Sequence, residues 1–184
     1  MAGTGGGRAN RGPAAAADNR AAIIRAAGEV FAEQGLGAPL NAIAKRAGVG
    51  QGSLYRHFPT RESLAFVAFE GNLAEIEAAV ADGATLAAVL AMVVEQATVS
   101  AAFIELITRH AADPRSVALE RRLRAAVEAT IDAARVAGTV PAHYTVDDVM
   151  LAVTLLTGAL MGTLPAGRPD LVEQAWRLMG INPA

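Results

Sequence analysis

Residues 40–58 read Leu-Asn-Ala-Ile-Ala-Lys-Arg-Ala-Gly-Val-Gly-Gln-Gly-Ser-Leu-Tyr-Arg-His-Phe. The segment predicts a helix, a glycine turn and a short second helix. Leu40, Ile43, Ala44 and Ala47 recur at helical spacing and give the first helix one apolar face. Gly48 stands where a helix wants a left-handed residue past its end, and Gly50 keeps the turn free of side-chain clashes. The second helix runs from about residue 51 to 58, and Pro59 stops it. Leu54 and Phe58, four apart, can hold it to its partner. Gln51, Gly52, Ser53, Tyr55, Arg56 and His57 are left to face outward. This is the layout of a helix-turn-helix, whose second helix is shaped to enter the major groove of DNA.

At these residues the chain resembles the tetracycline-repressor (TetR) family of transcriptional regulators. The likeness rests on Ile43-Ala44, Ala47-Gly48-Val49, Gly52, Leu54-Tyr55, His57-Phe58-Pro59 and Leu64. Upstream, Val30-Phe31-Ala32-Glu33-Gln34-Gly35 looks like the end of the family's first helix, so the resemblance covers roughly residues 20–69. A bare helix-turn-helix pattern often arises by chance; this longer string rarely does. Ala38-Pro39, Gly50 and Thr60-Arg61 stand where the family commonly has threonines, serine and Ser-Lys.

Composition points to the same fold class. The chain has 184 residues, enough for one or two small domains with a real core. Its 53% apolar content is largely alanine and only 4% is aromatic, which suits closely packed helices rather than sheet. With no cysteine there is no disulfide framework and no thiolate. The net charge of −2 hides an asymmetry: residues 1–70 carry +3 and residues 71–184 carry −5. A basic head on an acidic body is a recognised pattern for a nucleic-acid reader.

Along the chain, residues 1–17 are rich in Gly and Ala and lack hydrophobic periodicity, so they read as a disordered tail. An alternative has Arg8 and Arg11 reach the minor groove as a basic arm. No apolar core follows a charged start, so no signal peptide is expected, and Gly5-Gly6-Gly7 lacks the strand and Gly-Lys-Ser/Thr of a phosphate loop. Residues 18–66 form the expected DNA-binding domain, with the motif at about 39–58. Asp18 would cap a first helix carrying Ile23, Ala27, Val30 and Phe31 on one stripe. Pro39 would sit in the first turn of the second. Thr60 would cap a fourth helix that runs toward Val80, with a break at Ala81-Asp82-Gly83.

Residues 67–184 form the expected body, with further helices over 85–110, 114–137, 146–163 and 170–180. Residues 149–164 carry no charge, but 16 residues fall short of the roughly 20 a membrane span needs. A helix buried in the body or in a dimer interface is expected instead.

Gln51 and Ser53 open the recognition helix and are candidates for base contact, since Gln can pair bidentately with adenine. Gly52 permits close backbone approach. Arg56 reads guanine or clamps phosphate, and Lys45 and Arg46 are either solvated helix charges or phosphate contacts. The resemblance implies that Tyr55 and His57 touch the DNA backbone, with Arg61 as a further phosphate partner. Material for catalysis is thin. Glu105, Arg109, His110 and Asp113 lie close together, but a metal would want further ligands at defined spacing, and His57 and His143 sit elsewhere. No catalytic residue, metal or cofactor is assigned. Asp147-Asp148 beside Thr145 reads as a helix start, and Arg121-Arg122-Arg124 as a solvated face.

The resemblance implies an all-α homodimer, bacterial and cytoplasmic, associated with the nucleoid and bound to a double-stranded operator. The helices at 146–163 and 170–180 would form a four-helix interface with the symmetry mate, helped by Gly158 and Gly162. A pocket for a small apolar effector would lie in the body, with Met92, Gln96, Phe103 and His110 as candidates. Alternatives are a DNA-binding protein without a small effector, or a helical carrier or enzyme with a vestigial head.

Overall fold

Alanine-rich, aromatic-poor sequence has little to build strands from, and every regular element among the described residues is a helix. The computed structural model describes residues 11–99, 105–106, 109–163 and 167–181. These hold α1 (Arg11–Gln34), α2 (Leu40–Arg46), α3 (Gln51–His57), α4 (Arg61–Ala81), α5 (Leu86–Val99), α6 (Pro114–Ala137), α7 (Val146–Met161) and α8 (Arg168–Leu178).

Several boundaries differ from the expected ones, each for a local reason. α1 begins at Arg11, so residues 11–17 are helix rather than tail and Asp18 lies inside the helix instead of capping it. The run Ala14–Ala17 has the highest helix propensity available, and Pro13 sits in the first turn, where a missing N–H costs nothing. Arg8 and the Gly5–Gly7 run lie outside the described residues. Pro39 is the N-cap of α2, one residue before its first turn. α7 stops at Met161, and α8 starts two residues before Asp170 because Pro169 can occupy its first turn. The helix expected over 85–110 is described as far as Val99; Phe103 lies outside the described residues.

Two cores hold the helices. In the first, Ile23, Val30 and Phe31 of α1 meet Ile43 of α2, Leu54 of α3 and Leu64, Phe66 and Phe69 of α4. The Phe31 and Phe69 rings lie 6.4 Å apart. Burying each such side chain contributes about 1.5–3 kcal/mol. This core does not end at the expected domain boundary after residue 66. It continues through Leu73 and Ile76 of α4 to Val89 of α5 and Leu119 and Ala126 of α6. The second core joins Leu86 and Leu90 of α5, Val127 and Ile131 of α6, Val149, Val153, Leu156 and Leu160 of α7, and Trp176 of α8.

α4 is therefore one rigid spine shared by both ends of the molecule. Thr60 starts it with a reciprocal cap: its Oγ1 accepts from the Ser63 N–H at 3.1 Å, and its own N–H donates to Ser63 Oγ. Arg122 of α6 grips Glu77 of α4 through two hydrogen bonds of 2.7 and 2.6 Å, which lowers the Glu77 carboxyl below its usual range. At the start of α6, the Arg115 guanidinium lies 4.0 Å from the Phe66 ring centroid, and Asp113 caps the helix. Hydrogen bonds from the Arg115 side chain and backbone hold the Asp113 carboxyl down at about 2.

Candidate nucleic-acid interface and body cavity

A seven-residue helix has no stability of its own in water, so α3 must be positioned by its surroundings. The turn before it fixes its direction. Gly48 adopts φ +69°, the Val49 N–H donates to the Ala44 carbonyl at 3.0 Å, and the Gly48 N–H to that of Lys45 at 3.2 Å. That paired closure ends α2 in a left-handed residue, a conformation glycine adopts without steric cost. Leu54 and Phe58 then anchor α3, at 1% and 3% exposure. The Arg20 guanidinium covers the Phe58 ring at 5.4 Å, so α1 clamps the far end.

What α3 turns outward follows from what it buries. Gln51, Gly52, Tyr55 and Arg56 are exposed; Ser53 and His57 are half-buried. Tyr55 leaves 51% of its surface in solvent, too much for a core aromatic. A Cβ added at Gly52 would meet nothing within 4 Å, so nothing inside the protein requires glycine there.

The neighbouring cations divide into two groups that sequence did not separate. Arg46 donates to Glu33 at 3.0 and 2.9 Å and to Glu29 at 3.0 Å, which raises its own pKa and lowers that of Glu33. Arg61 donates from Nη1 to the Leu36 carbonyl at 2.9 Å, fastening the start of α4 to the turn after α1. Lys45 and Arg56 are exposed and have no ion pair among the described residues.

In the body, a cavity of about 540 Å³ opens between α4, α5, α6 and α7. Phe69, Asn72, Leu73 and Ile76 line it from α4, and Val93, Gln96 and Ala97 from α5. Ser116, Leu119, Glu120 and Leu123 complete it from α6, with Met150, Val153, Thr154, Thr157 and Gly158 from α7. Of the four expected pocket residues, Gln96 lines this cavity. Met92 packs against the first core, His110 sets its ring edge-on to Phe66 at 6.4 Å, and Phe103 is not described. Most of the lining escaped sequence reasoning because it comes from the inward stripes of α4, α6 and α7, which read simply as core.

The clustered acid and base groups have structural partners. Glu105 pairs with Arg109 at 2.8 Å, Asp113 caps α6, and Asp148 with Thr145 caps α7. The run Arg121-Arg122-Arg124 is not simply a solvated face: Arg122 binds Glu77 and Arg124 binds Asp147. Among the described residues, no three His, Cys, Asp or Glu side chains are grouped to hold a metal, and no helix is long and apolar enough to cross a membrane.

Residues 23–68 match the family model described as bacterial regulatory proteins, tetR family. A TetR transcriptional regulator from Streptomyces coelicolor is 31% identical, with 87% of this chain and 93% of that one covered and a TM-score of 0.61. The chain belongs to the TetR family. A second TetR regulator, from Mycobacterium vanbaalenii, is 29% identical, with coverage of 80% and 97% and a TM-score of 0.55. A third similar structure comes from work on the control of antibiotic production by bacterial hormones; it is 27% identical, covers 88% and 93%, and has a TM-score of 0.51. No match is found among curated proteins. The TetR family is one of DNA-binding transcriptional regulators. The matched segment runs from the core of α1 through α3 into α4, so it contains the glycine turn before α3 and the anchors Leu54 and Phe58 that hold it.

Proposed function

We propose that this TetR-family protein is a homodimeric, sequence-specific repressor, released from a palindromic operator by a small effector bound in the body. One observation carries the DNA-binding part. α3 is pinned on its inner side by Leu54 and Phe58 and presents Gln51, Gly52, Ser53, Tyr55, Arg56 and His57 on its outer side. In this reading Gln51 and Ser53 touch base edges, Gly52 admits the DNA backbone, and Tyr55 and His57 hold phosphates. Arg56 reads guanine or phosphate, and Lys45 and Arg61 flank the contact. Phosphate contacts set register while base contacts set specificity.

Dimerisation falls to α7 and α8. Leu151, Leu155 and Leu178 are exposed at 56%, 62% and 81%. Gly158 and Gly162 continue the face of α7, where the absence of side chains lets a second helix approach.

Release follows from α4. Its first half packs in the core that holds α3, and its second half lines the cavity. A ligand that prefers one position of α4 changes the separation of the two recognition helices. It can do so only by its differential affinity for the two states. The cavity favours this reading over a regulator with no small effector, as does the likeness to a structure from work on the control of antibiotic production by bacterial hormones.

The test is selection of bound duplexes from a random DNA pool, followed by titration of the winner at two salt concentrations. A palindromic winner that binds far more tightly than random DNA, with salt-weakened affinity, is the expected result. Failure of any sequence to enrich, with the protein folded and dimeric, would overturn it.

Gly52 offers a sharper check. Gly52→Ala should leave stability equal or raise it by up to about 1 kcal/mol, because alanine is the better helix former. The same methyl should weaken operator binding, since it fills the space reserved for DNA. Thermal melts and operator titration on one preparation read both signs; a variant that binds as tightly as the wild type would remove Gly52 from the interface.

A further inference from the structure

Buried polar groups in folded proteins are nearly always hydrogen-bonded, and one left alone carries its full desolvation cost. Ser116 breaks that rule at the cavity wall. It is 3% exposed, lines the cavity, and its Oγ has no hydrogen-bond partner among the described residues. The other hydroxyls of the lining are committed: Thr154 donates to the Met150 carbonyl at 2.9 Å and Thr157 to that of Val153 at 2.8 Å. A second polar feature lies in the same wall. Asn72 donates from Nδ2 to Gln96 Oε1 at 2.5 Å. That bond leaves the Asn72 carbonyl oxygen and the Gln96 amide nitrogen without a side-chain partner among the described residues. The cavity therefore offers uncommitted donors and acceptors on an otherwise apolar surface formed by Phe69, Leu73, Ile76, Leu119, Leu123 and Val153.

The charges exclude one large class of ligand. Among the described residues no Lys, Arg or His lines the cavity, and the one charged lining residue, Glu120, is exposed, where a carboxylate keeps its water and an ion pair with a cationic ligand is worth little. Of the basic groups of α6, Arg115 is held by Asp113, Arg122 by Glu77 and Arg124 by Asp147, and the exposed Arg121 does not line the cavity. A carboxylate or phosphate would lose its hydration there without gaining a counter-charge.

We propose that the cavity takes an uncharged ligand with a long apolar body and a single carbonyl or hydroxyl group, anchored on Ser116 beside the Asn72–Gln96 pair. The inference rests on the reading of the cavity as an effector site and specifies what that effector is. A volume of about 540 Å³ suits a molecule of drug-like size. Ser116 selects the polar group because its hydroxyl can donate to a carbonyl and accept from an alcohol.

The experiment uses four ten-carbon probes, decan-2-one, decan-1-ol, decanoate and decylamine, titrated into the full-length protein without DNA. Binding is followed by the rise in Tm. Decan-2-one and decan-1-ol are expected to stabilise saturably, and decanoate and decylamine are not. Ser116→Ala is expected to melt at the wild-type temperature or above without ligand, because it removes an orphaned hydroxyl. It should bind decan-2-one about fivefold more weakly or worse, the contribution of one lost hydrogen bond. Binding of decanoate or decylamine as tight as that of decan-2-one would overturn the uncharged ligand while leaving an effector cavity standing. Equal affinity of Ser116→Ala and wild type for decan-2-one, or a lowered Tm of the ligand-free variant, would overturn Ser116 as the anchor. If none of the four binds, the effector reading falls and takes this inference with it.

Discussion

Leu151→Glu/Leu155→Glu is expected to yield a folded monomer that no longer holds an operator. The two leucines lie four apart on one face of α7 and are 56% and 62% exposed. The inward face of the same helix, Val149, Val153, Leu156 and Leu160, is buried and untouched by the change. Helical content should therefore persist. At a two-fold interface the same patch meets itself, so two substitutions bring four carboxylates together, each losing water without finding a cation. Like charges at close quarters and desolvation both oppose association. The consequence on DNA is larger than the loss of any contact. A dimer binds its second half-site at the effective concentration set by the first, a gain of about 10²- to 10⁴-fold that a monomer forfeits. Sedimentation velocity and operator titration measure the two parts. A variant that remains dimeric would remove this face of α7 from the interface.

What was legible in the sequence follows from how local each signal is. The turn at Gly48, the anchors Leu54 and Phe58 and the cap at Thr60 are all written within four or five residues, and the structure places them as read. The start of α1 was misplaced because Asp18 is a good cap residue in a stretch where alanine already favours helix. Propensity in residues 14–17 outweighed the cap. The cavity was hardest to see. Its wall is assembled from four helices, and nothing local distinguishes a leucine that faces a partner from one that faces a hole. Ser116 is the clearest case: nothing in the sequence around it marks a cavity, and only the folded chain buries it in the cavity wall with its hydroxyl unpartnered among the described residues. Arg46 and Arg61 were equally opaque, since their partners Glu29, Glu33 and Leu36 lie 13 to 25 residues away.

That division among the cations makes Arg56→Ala the most informative single change on the DNA face. Arg56 is exposed and has no ion pair among the described residues, so its guanidinium is available to DNA without first leaving a carboxylate. A bidentate pair with guanine is worth about 1–3 kcal/mol of discrimination, and a dimer has two, so operator affinity should fall by about 2–6 kcal/mol. Two mechanisms give losses of this order and differ in their salt dependence. If Arg56 reads guanine, the loss falls on the operator, and the slope of log K against log salt barely moves. If it clamps phosphate, random DNA loses in proportion and the slope drops by about 0.9 for each arginine, close to two for the dimer. Arg46→Ala is the control. Glu29 and Glu33 already neutralise that guanidinium, so its removal should leave the slope near the wild-type value. An Arg56→Ala variant with unchanged operator affinity would take this side chain out of the interface, and a slope change in Arg46→Ala as large as in Arg56→Ala would mean that DNA, not the two glutamates, is the partner Arg46 prefers.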